Sequence, residues 1–319
     1  MYDQFNEIFD RYLRGRGDVC TDGNLLKEDD EIVITTDGYT VDPLEFPGGD
    51  IGSLSVNGTI NDLAVCGAKP LLLRLNAYIE RNFPVAVFER IMQSLVKTAE
   101  QGAVAVVAGS ATIVPSRGDR YSGLHFATTG IGTRLPGPPL TTQRIRAGDK
   151  IVVSGPIAGH GVSVLLARET LQGFEQVRSD CANIFPVACT LLQHDGLRVM
   201  RDGRSGGLAA ICHELALATG LGIQLDEVSI PIDAGVKSAC SHLGIDPFHL
   251  ASEGRVVAVV AAEQAAAVLA ALRALPEGRD AAVVGTIGLT VAAVLLETAQ
   301  GEMRHLDNLQ WPPSGGFVC

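Results

Sequence analysis

Several groups of side chains in this sequence have the types and spacing to handle a charged phosphate ligand. The densest comprises Thr36-Asp37-Gly38-Tyr39, Gly48-Gly49-Asp50-Ile51-Gly52 and Asn61-Asp62-Leu63-Ala64. Asp37 ends a strand pattern and Gly48-Gly49-Asp50 precedes a helix pattern carrying Asn61 and Asp62. Such an arrangement can gather carboxylates around a hard cation while a helix N-terminus takes phosphate. Nucleotide–magnesium binding is one reading; the other is that Asp50 only caps its helix and Asp37 only serves a turn. A second group, Asp202-Gly203-Arg204-Ser205-Gly206-Gly207-Leu208, sets an aspartate, a basic residue and paired glycines before a helix, the outline of a phosphate cradle. His160, between two glycines at a helix start, and Glu253, before a strand, are acid/base candidates, against a capping or packing role.

Cys319 offers a different chemistry. It ends the run Trp311-Pro312-Pro313-Ser314-Gly315-Gly316-Phe317-Val318-Cys319, in which proline and glycine come too often for helix or ladder to persist. The expected result is a flexible C-terminal tail bearing a nucleophile; the alternative is a frayed end. Ten residues beyond Leu309 reach at most roughly 33–36 Å, enough to enter a pocket of the same chain or to present sulfur to a partner.

The elements that must position these groups alternate β-branched runs with alanine-rich amphipathic stretches, an α+β pattern. Residues 31–36, 71–78, 103–107 and 125–131 read as strands, and 51–66 and 85–101 as helices. Gly137-Pro138-Pro139 breaks the pattern, and Lys150 to Gly155 opens a second unit with helices 160–171, 183–193, 206–219 and 263–274 and strands 256–262 and 281–287. The boundary is expected near residue 145, giving domains 1–145 and 146–305 and a tail 306–319. Thr129-Gly130-Ile131-Gly132 is echoed by Val284-Gly285-Thr286-Ile287-Gly288, too short an echo to establish a repeat.

A chain of 319 residues, 46% apolar, can bury two substantial cores. Its net charge of −11 and lack of basic clusters argue against a nucleic-acid surface. No apolar run approaches the roughly 18 residues of a membrane span, and the acidic, mixed start is unlike a signal peptide, so a cytoplasmic protein is expected. The seven cysteines are odd in number and scattered without a CxxC pair, so they signal neither a disulfide framework nor a zinc site.

The run from Thr35 to Gly52, continuing through Asn61 to Pro70, resembles the HypE family of hydrogenase maturation proteins, within the PurM-like, AIR synthase-related superfamily. Ser179-Asp180-Cys181-Ala182, Met200-Arg201-Asp202 with Gly206-Gly207-Leu208-Ala209, Ala251-Ser252-Glu253-Gly254 and the terminal cysteine carry the same resemblance over nearly the whole chain. It implies a PurM-like two-domain fold, a homodimer through the sheet of the first domain, and ATP between the domains. It further implies that Cys319 accepts a carbamoyl group from a HypF-like partner, that ATP-dependent dehydration gives a thiocyanate, and that cyanide passes to iron on a HypC–HypD-like scaffold for NiFe-hydrogenase. By position, Asp37 and Asp62 would hold magnesium; Gly48, Gly49, Asp50, Asn61, Asp62, Asp202, Arg204, Gly206 and Gly207 would lie at the nucleotide; and Glu253 and His160 would join Cys319 in catalysis.

Four departures from the family pattern bear on ATP. The chain starts Met1-Tyr2-Asp3-Gln4-Phe5-Asn6-Glu7-Ile8, without the glycine-rich segment with which the family normally begins; Gly109-Ser110-Ala111-Thr112-Ile113 stands where the family has Gly-Asp-Thr-Lys-Val; Asp202-Gly203-Arg204-Ser205-Gly206-Gly207 replaces Asp-Pro-Thr-Arg-Gly-Gly; and Ala158-Gly159-His160-Gly161 replaces Gly-Asp-His-Gly. Bonds to charged groups are worth about 1.5–3 kcal/mol each. The departures therefore imply two alternatives: a HypE-like carrier or scaffold whose ATP site no longer supports dehydration, or another PurM-like ATP-dependent enzyme.

Overall fold

The computed structural model describes residues 19–20, 23–25, 32–116, 123–203 and 206–307. Its first half contains strands β1 (Val19–Cys20), β2 (Gly23–Leu25), β3 (Ile32–Tyr39), β4 (Glu45–Phe46) and β5 (Gly49–Asp50), then helix α1 (Ile51–Val65), β6 (Ala68–Glu80), α2 (Val85–Gln101), β7 (Ala105–Val114) and β8 (Leu124–Arg134). Six strands form one sheet in the order β1-β2-β3-β8-β6-β7, with only β6 and β7 parallel among these pairs. In β8 alternate residues are buried, so one face of the sheet packs on the core.

The second half follows with β9 (Lys150–Val153), α3 (Gly159–Arg168), α4 (Phe185–Leu191), β10 (Leu197–Gly203), α5 (Gly207–Thr219), β11 (Leu221–Asp226), α6 (Ala234–Leu243), β12 (Ser252–Val260), α7 (Ala265–Arg273), β13 (Ala282–Val291), β14 (Val294–Glu297) and β15 (Met303–His305). Seven of its strands form a sheet ordered β10-β12-β9-β13-β11-β14-β15, antiparallel except for β11 with β14. The α+β class read from sequence is the observed one.

The two helices of the first half differ in their surroundings. Helix α2 is amphipathic and buries only Ile91, Leu95 and Ala99, a stripe with a spacing of four residues. Helix α1 is buried from Ile51 to Val65 at every position except Ser53, because it lies on β3, β6 and β8 with one side and meets α4, β10 and β12 with the other. Ala64 and Val65 join Ile184, Val187, Met200 and Val256 in a single apolar cluster that fixes α1 to α4 and the second sheet. A helix so placed must satisfy its polar side chains internally, and those side chains build the site.

Candidate functional site

Asp50 caps α1. Its Oδ1 accepts the Ser53 N–H at 2.9 Å and the Ser53 hydroxyl oxygen accepts the Asp50 N–H at 2.9 Å, a reciprocal capping box that closes this helix end. The neighbouring glycines are explained by close approach: a Cβ on Gly48, whose φ is +102°, would lie 2.8 Å from the Ser179 nitrogen, and one on Gly49 would lie 2.9 Å from the Ser53 hydroxyl. Sequence grouped Asn61 with the nucleotide ligands, and the structure shows what its side chain meets. Asn61 donates from Nδ2 to the carbonyls of Ala182 (3.0 Å) and Glu253 (2.9 Å) and accepts the Ile184 N–H at Oδ1 (3.0 Å). Both its amide hydrogens are spent on clamping α1 to the second half.

One residue further along, Asp62 faces a different environment. Its Oδ2 accepts the Thr35 hydroxyl at 2.9 Å, and burial, followed by the charges of Asp202, Asp37 and Glu253, raises its carboxyl well above the ordinary range. Asp202, 7% exposed near the end of β10, is pushed up to about 7 by burial and then by the charge of Asp37. Asp37 is exposed and accepts the Gly38 N–H at 2.7 Å, yet the protein packed around it raises its carboxyl too. Burial and the charges of Asp37 and Asp62 likewise drive the Tyr39 hydroxyl upward. Four acids, Asp37, Asp62, Asp202 and Glu253, thus share one electrostatic field. Among the described residues, no three His, Cys, Asp or Glu side chains converge closely enough to grip a bare metal ion. A shared field without a preformed cage suits magnesium, which keeps waters and takes phosphate oxygens.

The second half brings three segments to this field. Asp180 is their hub, and only the family resemblance marked it in the sequence. Its Oδ1 accepts the N–H of His160 (3.0 Å) and of Glu253 (3.2 Å), while Oδ2 has no hydrogen bond and lies 3.8 Å from Arg255 Nε. Burial raises Asp180 to about 6 against the opposing charge of Arg255. Gly254 is obligatory here, since a Cβ would lie 1.9 Å from the Asp180 carbonyl. His160 is fully buried, with Nδ1 2.9 Å from the Ser179 hydroxyl and its ring edge-on to Phe46 at 5.1 Å. Burial lowers it to about 3, so the ring is neutral at working pH.

Gly206 and Gly207, with φ of +84° and +61°, lead into α5, and a Cβ on Gly207 would strike the carbonyls of Leu250 (2.6 Å) and Phe248 (2.7 Å). Gly206 carries no side chain to cap α5, so its first N–H groups remain suited to an anion, in contrast to the closed end of α1. Ser110 lies on the edge strand β7, donating from its N–H (3.0 Å) and hydroxyl (3.2 Å) to Asn76 Oδ1. Register places Asp37 opposite Thr128, Thr128 opposite Leu75 and Leu75 opposite Ala108, so Ser110 begins about 14 Å from Asp37 across three strand spacings. Ser110, Ala111 and Thr112 are exposed and uncharged. Arg204 and Cys319, both named from sequence, lie outside the described residues. Among the cysteines described with side chains, Cys66, Cys181, Cys189, Cys212 and Cys240 are in no disulfide.

Family models for the N-terminal and C-terminal domains of AIR synthase related proteins match residues 20–133 and 146–291. Carbamoyl dehydratase HypE of Bradyrhizobium diazoefficiens is 44% identical over 256 residues, 80% of this chain and 73% of its own length. Among solved structures, HypE from a HypE–HypF complex superposes with a TM-score of 0.88 at 35% identity, covering 95% of this chain and 98% of that one. A HypE in complex with ATP does so with a TM-score of 0.84 at 33% identity, covering 98% and 95%.

Proposed function

This chain belongs to the HypE family, and from that premise we propose that it is an ATP-dependent carbamoyl dehydratase whose acceptor is Cys319. The observation that carries the proposal is the acid field of Asp37, Asp62 and Asp202, each raised by burial, set between a buried helix and the second sheet. Three carboxyls raised by burial, Asp62 and Asp202 also by neighbouring acidic charge, call for a cation. Asp37 and Asp62, with Asp202 beside them, would hold magnesium, and the open end of α5 with Gly206 and Gly207 would take phosphate. Bound ATP would supply the phosphoryl group that turns an amide oxygen into a leaving group.

Cys319 carries the carbamoyl group as a thiocarbamate, and loss of water from the amide leaves a thiocyanate on the same sulfur. Two protons must leave the amide nitrogen, and Glu253 is the base we assign to them, held by its own backbone between Asp180 and Asn61. A HypF-like protein is the proposed carbamoyl donor, as the complex formed by a relative supports, and a HypC–HypD-like iron scaffold the proposed acceptor of cyanide. The open face of the first sheet, with Ile32, Leu71, Tyr78 and Val107 exposed, is the surface we assign to a homodimer. Incubation with a HypF-type donor, carbamoyl phosphate and Mg·ATP, followed by mass analysis of the peptide containing Cys319, tests the reading. A carboxamide adduct and then its dehydrated form are expected; neither species would overturn it. A carboxamide that never loses water would favour the second reading, a carrier with a weakened ATP site, which the uncharged edge at Ser110, Ala111 and Thr112 supports.

A further inference from the structure

Two histidines outside the acid field hold the chain at the point from which it runs to Cys319. His213, on α5, lies with Nε2 2.6 Å from the Leu306 carbonyl, and His249, closing the single turn Pro247–His249, with Nε2 2.8 Å from the Asp307 carbonyl. A carbonyl only accepts, so each Nε2 carries a hydrogen and each ring is a donor. The carbonyls are consecutive. Two donors on adjacent planar peptides fix the dihedrals between them, at Asp307. Leu306 itself is buried and donates its N–H to the Val294 carbonyl at 2.9 Å, while Arg304 pairs with Asp246 at 2.8 Å.

The place of this clasp bears on chemistry. Helix α5 begins at Gly207 and carries His213 two turns later, and the segment 248–250 that presents His249 is the one against which Gly207 packs. The same rigid element therefore offers the proposed phosphate site at its start and the tail anchor along its length. Cys319 lies twelve residues beyond Asp307, so its reach is bounded at roughly 40 Å and its effective concentration at the site depends on where that span begins.

The geometry points to His213 and His249 as positioning residues that set the origin of the Cys319-bearing segment for the dehydration step, an inference that rests on the proposed role of Cys319. In the full chain with Mg·ATP and a carbamoyl donor, the double variant His213→Ala/His249→Ala should dehydrate loaded Cys319 about tenfold more slowly in single turnover. Loading by the donor, a bimolecular event, and ATP affinity should stay within about twofold. His213→Gln/His249→Gln, which retains side-chain N–H donors, should recover most of the rate. Equal dehydration by the alanine pair and the unaltered chain overturns the inference. If the unaltered chain loses no water, the proposed dehydration itself fails, and the clasp is judged without catalysis. In that case Asp37→Cys supplies a trap, and the disulfide between Cys319 and the introduced thiol, formed under oxidised glutathione, is followed by mass. A rate about tenfold lower with the alanine pair upholds the clasp; equal rates refute it.

Discussion

Asn61 and Asp62 are neighbours on one buried helix, and they teach opposite lessons. Asn61 spends both amide hydrogens and an oxygen lone pair on three backbone groups across the junction, so its polarity is consumed by architecture. Asp62 has the Thr35 hydroxyl and is otherwise surrounded by the charges of Asp202, Asp37 and Glu253, which its own ionisation makes worse. A buried polar group that is saturated holds a fold together; one left in a like-charged field marks where something else must come in.

The largest effect should follow from Asp62→Asn, which keeps the Thr35 bond and removes the charge. Dehydration should fall by about 10²–10³-fold, as for loss of an electrostatic contact to a reacting group, while the melting temperature without nucleotide holds or rises. Falling activity together with a falling Tm would make Asp62 structural like its neighbour. Asn61→Ala should do the reverse and cost roughly 3 kcal/mol in calorimetric unfolding, because two carbonyls and an N–H are left buried without a partner. Unchanged stability would remove the contrast.

Further effects sharpen the same comparison. The folded Asp202 carboxyl, at about 7 against an ordinary 3.8, binds its proton more tightly than in the unfolded chain. Its contribution is therefore harmless below pH 4 and becomes progressively destabilising as pH rises through 7. Asp202→Asn should raise Tm by several degrees near pH 7.5, where the rise from 3.8 to about 7 corresponds to roughly 4 kcal/mol, with little change at pH 4; magnesium with nucleotide should narrow the gap. A pH-independent gain would assign the effect to packing. His160, held neutral by burial down to about pH 3, should leave no inflection in the pH–rate profile, and His160→Gln should shift Tm while the shape of that profile stays the same.

Much of this was legible in the sequence because local physics left a mark. The four-residue spacing of Ile91, Leu95 and Ala99 announces α2, and Asp50 before Ile51 announces the start of α1. Strand β7 runs on to Val114, beyond the expected end at 107, since an edge strand exposed along its length shows no alternation to read. Strand β11 and helix α6 went unread for a related reason: each is short and packs against partners distant in sequence. Acidic residues could be collected as a candidate site, but nothing in Asn61-Asp62 tells which one faces carbonyls and which one faces carboxylates. Asp180 owes its role to two N–H groups brought from 20 and 73 residues away, and His213 to a carbonyl 93 residues on. Spacing along the chain carries no trace of such contacts.

Calorimetric titration of the full chain with Mg·ATP, side by side with Asp62→Asn, tests the central claim most directly. The account predicts saturable, magnesium-dependent binding to the unaltered chain that is lost in the variant. Absence of binding to the unaltered chain, or binding that the variant retains in full, would contradict the assignment of the acid field to magnesium and nucleotide.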